Sequence, residues 1–289
     1  MDKNDNALWE KLLKTKEYQK KAEKYSEEIL NIQAVVGANG FGAGKVGKQK
    51  LWDASTTLTA WKEAEKEEIH KGAFFLQMVA DDQLLARLQE QVSRDSVIRA
   101  SVRVSHNGER FLMTGPAGKG DDPVLAEVLK KQVIEVVREV EGLGRFTLDR
   151  SVDWFHAKVD WLGQEVELSF DQDDEEVMED AVQTARTLMA DREGWDQRIR
   201  EYAAENLLDL ANDWAANAVD PEELDQMEEK GACLVSREAF MKCMVLESIG
   251  VMEDGEYEFW FGDGDLFWGH SIHVTGSLKD GPDWAGIEG

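Results

Sequence analysis

The stretch EYEFWFGDGDLFWGHSIHVT, residues 256–275, decides the fold of the second half of the chain. Its first six residues alternate between an aromatic face and a face that carries two glutamates and Trp260, which is the pattern of a half-buried strand. Glycines and aspartates follow as turn formers. A second alternating run then places His270 on the same face as Ile272 and Val274. The stretch therefore predicts a hairpin of two strands joined by an eight-residue loop.

Three polar residues of this hairpin form a candidate site, with Asp263 and Asp265 at the tip of the loop and His270 beside it. Carboxylates next to a histidine can bind a metal or transfer protons. The alternative is structural: His270 shares a face with apolar residues, which predicts a core histidine, and the two aspartates satisfy the amides of the turn. Sequence alone leaves both interpretations open. The wider candidate functional surface comprises Trp260, Asp263, Asp265, Trp268, His270 and His273.

Composition and charge indicate which partners and which cellular location to expect. The chain has 289 residues, a formal net charge of -26 and two cysteines. Residues 1–150 carry 24 Lys and Arg against 24 Asp and Glu, whereas residues 151–289 carry 9 against 35. Such an acidic half repels nucleic acid and anionic membrane and attracts basic partners. The absence of a long apolar run and of a signal peptide, together with too few cysteines for a disulfide framework, predicts a cytoplasmic protein.

The first half of the chain predicts a helix and a small β-rich domain. Apolar residues at helical spacing predict a helix over residues 5–34, and the glycines of residues 37–47 predict a connection, so residues 1–50 form the N-terminal segment. Residues 51–140 contain strand-like runs, one short helix and an Asn-Gly hairpin turn, which together predict a small barrel of the OB type. The role of the glycine-rich segment is not determined by its sequence.

Residues 141–289 read as strands, then helices, then strands. This order predicts an α+β domain with a mainly antiparallel sheet and helices on one face. The acidic segment 220–229 is predicted as an exposed helix or loop, and its role is open. The fold class is therefore α+β: an N-terminal helix, an OB-like barrel and an acidic α+β domain.

No cofactor is expected, because the two motifs that come closest both fail. A phosphate-binding loop needs a glycine five residues before Gly44-Lys45 and a Ser or Thr after them, but Asn39 and Val46 occupy these positions. A calcium loop starting at Asp171 would need glycine at its sixth position and glutamate at its twelfth, where Glu176 and Val182 stand.

Three separated motifs resemble a known bacterial family: GRFTLDRSVDWFHAKVDWLGQEVELSFD, WDQRIREYAAENLLDLANDW, and EYEFWFGDGDLFWGHSIHV with the closing AGIEG. The family is known as domain of unknown function 2262, and the resemblance covers residues 143–289. The segment VGANGFGAGK…KLW resembles the region that precedes this domain in similar two-domain bacterial proteins. The resemblance implies a bacterial cytoplasmic protein of unsettled activity, and it supplies no catalytic residues.

These observations favour a non-enzymatic binding or regulatory protein. Its acidic C-terminal domain would bind a basic protein partner, as immunity proteins of bacterial toxins do; no membrane is expected and nucleic acid is disfavoured. The alternative is an enzyme, for example a metal-assisted hydrolase, that uses Asp263, Asp265 and His270. A third hypothesis is a barrel at residues 53–115 that binds a ligand or nucleic acid, which requires exposed aromatics and cations on the barrel face. The sequence does not determine the oligomeric state.

Overall fold

A computed structural model describes residues 3–217 and 234–289 and divides the chain into two compact units, Met1–Ile134 and Glu135–Gly289. The predicted acidic segment 220–229 lies outside the described residues. Among those residues, no helix has an apolar stretch long enough to cross a lipid bilayer.

The first unit is a closed five-stranded barrel with helices around it. Its helices are α1 (Lys3–Leu13), α2 (Lys16–Ala22), α3 (Asp82–Gln91) and α4 (Pro123–Gln132). Its strands are β1 (Leu30–Val36), β2 (Gly42–Gly44), β3 (Trp52–Glu63), β4 (His70–Ala80), β5 (Val97–Val104), β6 (Arg110–Met113) and β7 (Gly118–Lys119). The order β1-β3-β4-β6-β5 closes through the pairing of β1 with β5, while the short strands β2 and β7 pair in addition with β3 and β5. Strand β4 runs parallel to β6, and α3 connects β4 to β5.

This strand order is that of an OB barrel, so the prediction of an OB-like domain is confirmed. The prediction of one helix over residues 5–34 is wrong in its second part, because Leu30–Val36 forms the strand that closes the barrel. The glycine-rich connection is also more ordered than predicted, since Gly42–Gly44 pairs with β3.

An ion pair of low exposure links the barrel to α4. The carboxylate of Asp122 accepts hydrogen bonds from the amides of Val124 and Leu125 at the start of α4, and its other oxygen accepts one from Lys62 Nζ at 2.7 Å. Burial raises the pKa of Asp122, but the hydrogen bond and charge of Lys62 and the two amides outweigh this effect. The pKa of Asp122 is therefore below its usual 3.8.

This depressed pKa gives a stability prediction with a defined sign. A carboxyl whose pKa is lowered by folding contributes stability that is complete above its unfolded pKa and is lost as the pH falls through its folded pKa. We expect Asp122→Asn to destabilise the first unit by about 1–2 kcal/mol at neutral pH. The difference between wild type and variant should shrink below about pH 4. Thermal unfolding of both proteins from pH 7 to pH 3 measures it, and a difference that does not depend on pH would contradict it.

The second unit is one eight-stranded sheet with helices on one face. The strands are β8 (Val137–Val140), β9 (Gly144–Asp149), β10 (Trp154–Trp161), β11 (Gln164–Asp171), β12 (Val245–Val251), β13 (Glu256–Gly262), β14 (Ser271–Ser277) and β15 (Gly281–Glu288). Their order in the sheet is β15-β14-β13-β12-β11-β10-β9-β8. All pairs are antiparallel except β11 with β12. The helices are α5 (Glu175–Ala190), α6 (Arg192–Ala216) and α7 (Arg237–Cys243).

One core joins the helices to one face of this sheet. Alternate strand residues such as Phe170, Tyr257, Phe259 and Phe261 are buried in the same cluster as the apolar residues of the helices. The predicted strands, helices and strands, with a mainly antiparallel sheet, are confirmed. The large side chains on the opposite face of the sheet are exposed or partly exposed, and some of them belong to the candidate site.

Candidate functional site

The loop between β13 and β14 is organised by a buried carboxylate. Asp263 is only 5% exposed, and its Oδ2 accepts hydrogen bonds from the amides of Phe267 at 2.5 Å and Gly269 at 3.2 Å. Its Oδ1 accepts a weaker hydrogen bond from the amide of Asp265 at 3.3 Å. A short acidic side chain can satisfy several turn amides at once. The contacts of Asp263 are therefore those of a residue that holds the loop.

The other two residues of the predicted triad have different surroundings. Asp265 is exposed and adopts a positive φ of 69°, a conformation that Asp and Asn tolerate better than most residues. His270 is partly buried, its Nδ1 lies 2.7 Å from the carbonyl oxygen of Phe267, and its ring meets the edge of Trp214 at 5.4 Å. Trp268, on the same loop, is 65% exposed and packs against Trp214.

These contacts bear on the hypothesis of a metal-assisted hydrolase. Within residues 3–217 and 234–289, no group of three or more His, Cys, Asp and Glu side chains is arranged to hold a metal ion. Asp263, Asp265 and His270 are therefore not such a group, although the sequence places them close together. The enzymatic alternative stays a prediction, without a set of metal ligands to support it.

Trp260 and His273 lie on the opposite face of the sheet from the helices and stack directly on each other. They are paired across β13 and β14, with ring centroids 3.8 Å apart and planes 9° from parallel. Trp284 on β15 meets His273 edge-on at 5.4 Å. The Nε2 atom of His273 lies 3.0 Å from the carboxylate of Glu258. We call the set Glu258, Trp260, His273 and Trp284 the aromatic–acid platform.

Two glycines give the platform its shape. A Cβ atom on Gly286 would lie 2.4 Å from two ring atoms of Trp284, so the indole lies across this glycine. A Cβ atom on Gly250 would lie 2.7 Å from the side chain of Glu258, so that carboxylate arm crosses the neighbouring strand β12. The backbone thus leaves room for the large side chains to lie against the sheet.

Acidic side chains cover the part of the open face next to the platform, on strands β10 to β13. The carboxylates that alternate onto this open face are those of Asp160, Glu165, Glu167, Asp171, Glu247, Glu256 and Glu258. On this face, the side-chain nitrogens of His156 and Lys158 lie within 4 Å of Glu167, His273 lies 3.0 Å from Glu258, and Arg145 pairs with Glu135. The face is therefore an anionic surface with an aromatic group at its β15 edge.

Sequence alternation identifies part of this platform. It places Trp260 and His273 on outward faces, and both were candidate functional residues. It does not select Glu258 or Trp284, because their contacts with His273 depend on strand register and on side-chain direction across three strands. The signal for Trp284 is a large aromatic residue in a predicted edge strand, and the structure leaves it 44% exposed.

Comparison with protein families assigns both units. The family described as "Uncharacterized protein conserved in bacteria (DUF2262)" matches residues 140–287, just over half of the chain, and the protein belongs to this bacterial family. The resemblance noted over residues 143–289 is thus confirmed. A second family model, "Domain of unknown function (DUF7021)", matches residues 17–133, which cover most of the barrel unit.

Neither family description states an activity or a partner. No curated protein and no solved structure gives a significant match. The chemistry of the chain's own residues therefore has to indicate its function.

Proposed function

We propose that the second unit is a binding or regulatory domain that holds a basic segment of a partner protein on its open sheet face. The observation that carries this proposal is the Trp260–His273–Trp284 stack, which lies on a solvent-facing sheet among carboxylates. Stabilisation of a fold does not require large aromatic side chains on the face away from the core. Exposed aromatics among charges are typical of interaction surfaces.

The charge of the unit favours a cationic partner. Residues 135–289 carry 39 Asp and Glu against 12 Lys and Arg, whereas residues 1–134 carry 20 against 21. The negative field of the second unit accelerates the approach of a positive partner and suppresses binding of anionic ones. This argument supports the immunity-like mode of action, in which an acidic protein neutralises a basic one.

The platform adds a specific way to recognise that partner. An Arg or Lys side chain can lie over an indole face by a cation–π interaction and at the same time pair with a neighbouring carboxylate. Trp284 presents an exposed indole, and Glu258 lies on the other side of His273. An arginine satisfies this arrangement best, because its planar guanidinium stacks and donates hydrogen bonds together.

Two exposed tryptophans of the second unit provide a matched test. We expect Trp284→Ala to weaken the binding of a basic partner by about 2 kcal/mol, or roughly thirtyfold, because it removes an aromatic anchor. Trp268→Ala is the control, since Trp268 is more exposed but lies in the β13–β14 loop, beside Trp214 of α6. Binding is measured with length-matched arginine-rich, lysine-rich and acidic peptides, and with partners captured from a bacterial lysate by both variants.

The salt dependence of the same complexes completes the test. Binding should weaken severalfold between about 50 mM and 300 mM salt, because exposed charges are screened over this range. Equal loss from Trp284→Ala and Trp268→Ala, or a preference for the acidic peptide, would contradict the proposal. A complex that depends on Trp268 alone would move the binding surface to the β13–β14 loop.

A further inference from the structure

The barrel unit contains an open groove that is independent of the platform. Its volume is about 790 Å³, and small-molecule sites in proteins span about 300–1,000 Å³. The groove lies between α2 with the turn that follows it, the start of β3, the strand β4, and the β5–β6 connection. Four cations, Lys20, Lys21, Lys24 and Arg110, line it together with Trp52, His106 and two carboxylates, Glu17 and Asp53.

The groove carries cations that are free to meet a ligand. Lys21 forms an ion pair with Asp53, which also lines the groove. For Lys20, Lys24 and Arg110, no acidic partner within 4 Å is found in the described part of the chain. Uncompensated cations around one concave surface create a local positive potential that attracts anions, even on an acidic protein.

Aromatic groups line or adjoin the same groove in fixed positions. The indole of Trp52 donates a hydrogen bond from Nε1 to Asp82 at 2.6 Å, and Lys45 Nζ lies 4.1 Å from its ring centroid. Next to the groove, the Arg110 guanidinium lies over the ring of Phe75, which is 42% exposed. The barrel face therefore presents one exposed and one partly buried aromatic side chain together with cations, and the third sequence-based hypothesis requires aromatics and cations on this face.

A buried tyrosine also lines the groove. The hydroxyl of Tyr25 donates a hydrogen bond to Gln77 Oε1 at 2.5 Å. Burial is the main cause that raises the pKa of Tyr25; the charge of Asp53 also raises it, and that of Arg110 lowers it. The neutral hydroxyl and the amide of Gln77 thus add hydrogen-bonded polar groups to the lining of the groove.

We propose that this groove binds a phosphate-bearing small molecule of nucleotide size. Lys20, Lys24 and Arg110 supply the charge for phosphate oxygens, and Trp52 supplies an aromatic wall for a ring. The size of the groove suits one nucleotide. A long nucleic acid strand would extend beyond the local positive charge onto a unit that is close to neutral, with 20 Asp and Glu against 21 Lys and Arg in residues 1–134, so its further phosphates would gain little.

The position of the groove agrees with its proposed use. In OB barrels, ligands bind on the face of the second and third strands, between the first–second and fourth–fifth connections. In this barrel the second and third strands are β3 and β4. The two connections are the one before Trp52 and the one that contains His106. This agreement is an analogy of fold and supports the location only, since a fold alone does not define a ligand.

Direct binding measurements test the groove in the full-length protein. Isothermal titration calorimetry with ATP, AMP, inorganic tripolyphosphate and an eight-nucleotide single-stranded DNA compares wild type with Lys24→Glu and Arg110→Glu. We expect each variant to weaken ATP binding by about tenfold or more, because a charge is reversed beside the phosphates. Lys131→Glu, an equal charge change on α4 away from the groove, should bind ATP as the wild type does. Circular dichroism melts show whether each variant is folded, and Lys24→Ala provides a milder second variant.

The outcomes separate the ligand classes. ATP binding that exceeds tripolyphosphate binding, and that falls with both groove variants, supports the proposal. No binding of any phosphate probe at millimolar concentration, or equal effects of Lys24→Glu and Lys131→Glu, would overturn it. Tighter binding of the DNA than of ATP would replace the nucleotide with a single strand as the ligand. None of these results depends on the platform of the second unit, so either proposal can fail alone.

Discussion

Replacing Asp263 with alanine is expected to lower the free energy of unfolding of the second unit by about 3 kcal/mol. Its carboxylate accepts hydrogen bonds from three loop amides, and it is almost fully buried. Alanine would leave these amides without their acceptor in a loop whose Phe267 is completely buried in the core. A buried donor that loses its partner costs more than an average hydrogen bond contributes.

Two substitutions in the same loop serve as controls. Asp263→Asn keeps one carbonyl oxygen as acceptor and should lose less stability than Asp263→Ala. Asp265→Asn changes an exposed side chain at a positive φ that asparagine tolerates, so it should cost less than about 0.5 kcal/mol. Chemical denaturation followed by tryptophan fluorescence measures all three. Similar stability of Asp263→Ala and Asp265→Asn would show that the buried carboxylate does not hold the loop.

The hairpin that contains Asp263 could be predicted from sequence because the residues that define its strands and its turn are close together in the chain. Alternation defines two strands, glycine and aspartate define the turn, and the loop of residues 263–270 has the expected eight residues. The structural interpretation of Asp263 was one of the two alternatives that its sequence allowed. The distances from its oxygens to the amides of Phe267 and Gly269 favour this structural interpretation, and the catalytic one stays a prediction.

The first barrel strand shows where this kind of reasoning fails. In Leu30–Val36, the last residues Ala34, Val35 and Val36 are all fully buried, so apolar residues succeed one another without alternation. A strand covered on both faces cannot be distinguished from a helix by periodicity. The residues before this strand have apolar side chains at helical spacing with lysines between them. The helix predicted from that pattern was therefore extended into the strand. The groove could not be predicted from local sequence patterns either. It is formed by α2, β3, β4 and the β5–β6 connection, which are distant from one another in sequence.

The helix side of the second unit depends on one arginine that sequence analysis did not select. Arg200 on α6 donates a hydrogen bond from Nε to Asp196 at 2.7 Å, and its Nη1 donates to the carbonyl oxygens of Met241 at 2.9 Å and Met244 at 2.6 Å. Asp196 also accepts a hydrogen bond from the indole of Trp161 on β10. The network therefore connects α6 to the end of α7 and to the sheet.

We expect Arg200→Ala to destabilise the second unit by about 3 kcal/mol. Both members of its ion pair are less than one fifth exposed, and removal of one partner leaves the other charge partly buried without compensation. Two backbone carbonyls at the end of α7 would lose their donor as well. Arg200→Lys keeps the charge but cannot supply two separate donor groups in a planar arrangement, so we expect an intermediate loss.

A surface arginine provides the matched control for this effect. Arg186 pairs with Glu179 at 2.9 Å, but both side chains are well exposed, so Arg186→Ala should cost about 0.5 kcal/mol or less. Urea denaturation of the three variants gives the comparison, and hydrogen exchange of the α7 amides reports the local effect. If Arg200→Ala and Arg186→Ala have equal cost, the packing of α7 against α6 around buried Phe240 holds the helix without the arginine. If Arg200→Ala also exposes the amides of α7, the hydrogen bonds from its guanidinium are what fix the end of that helix against the sheet.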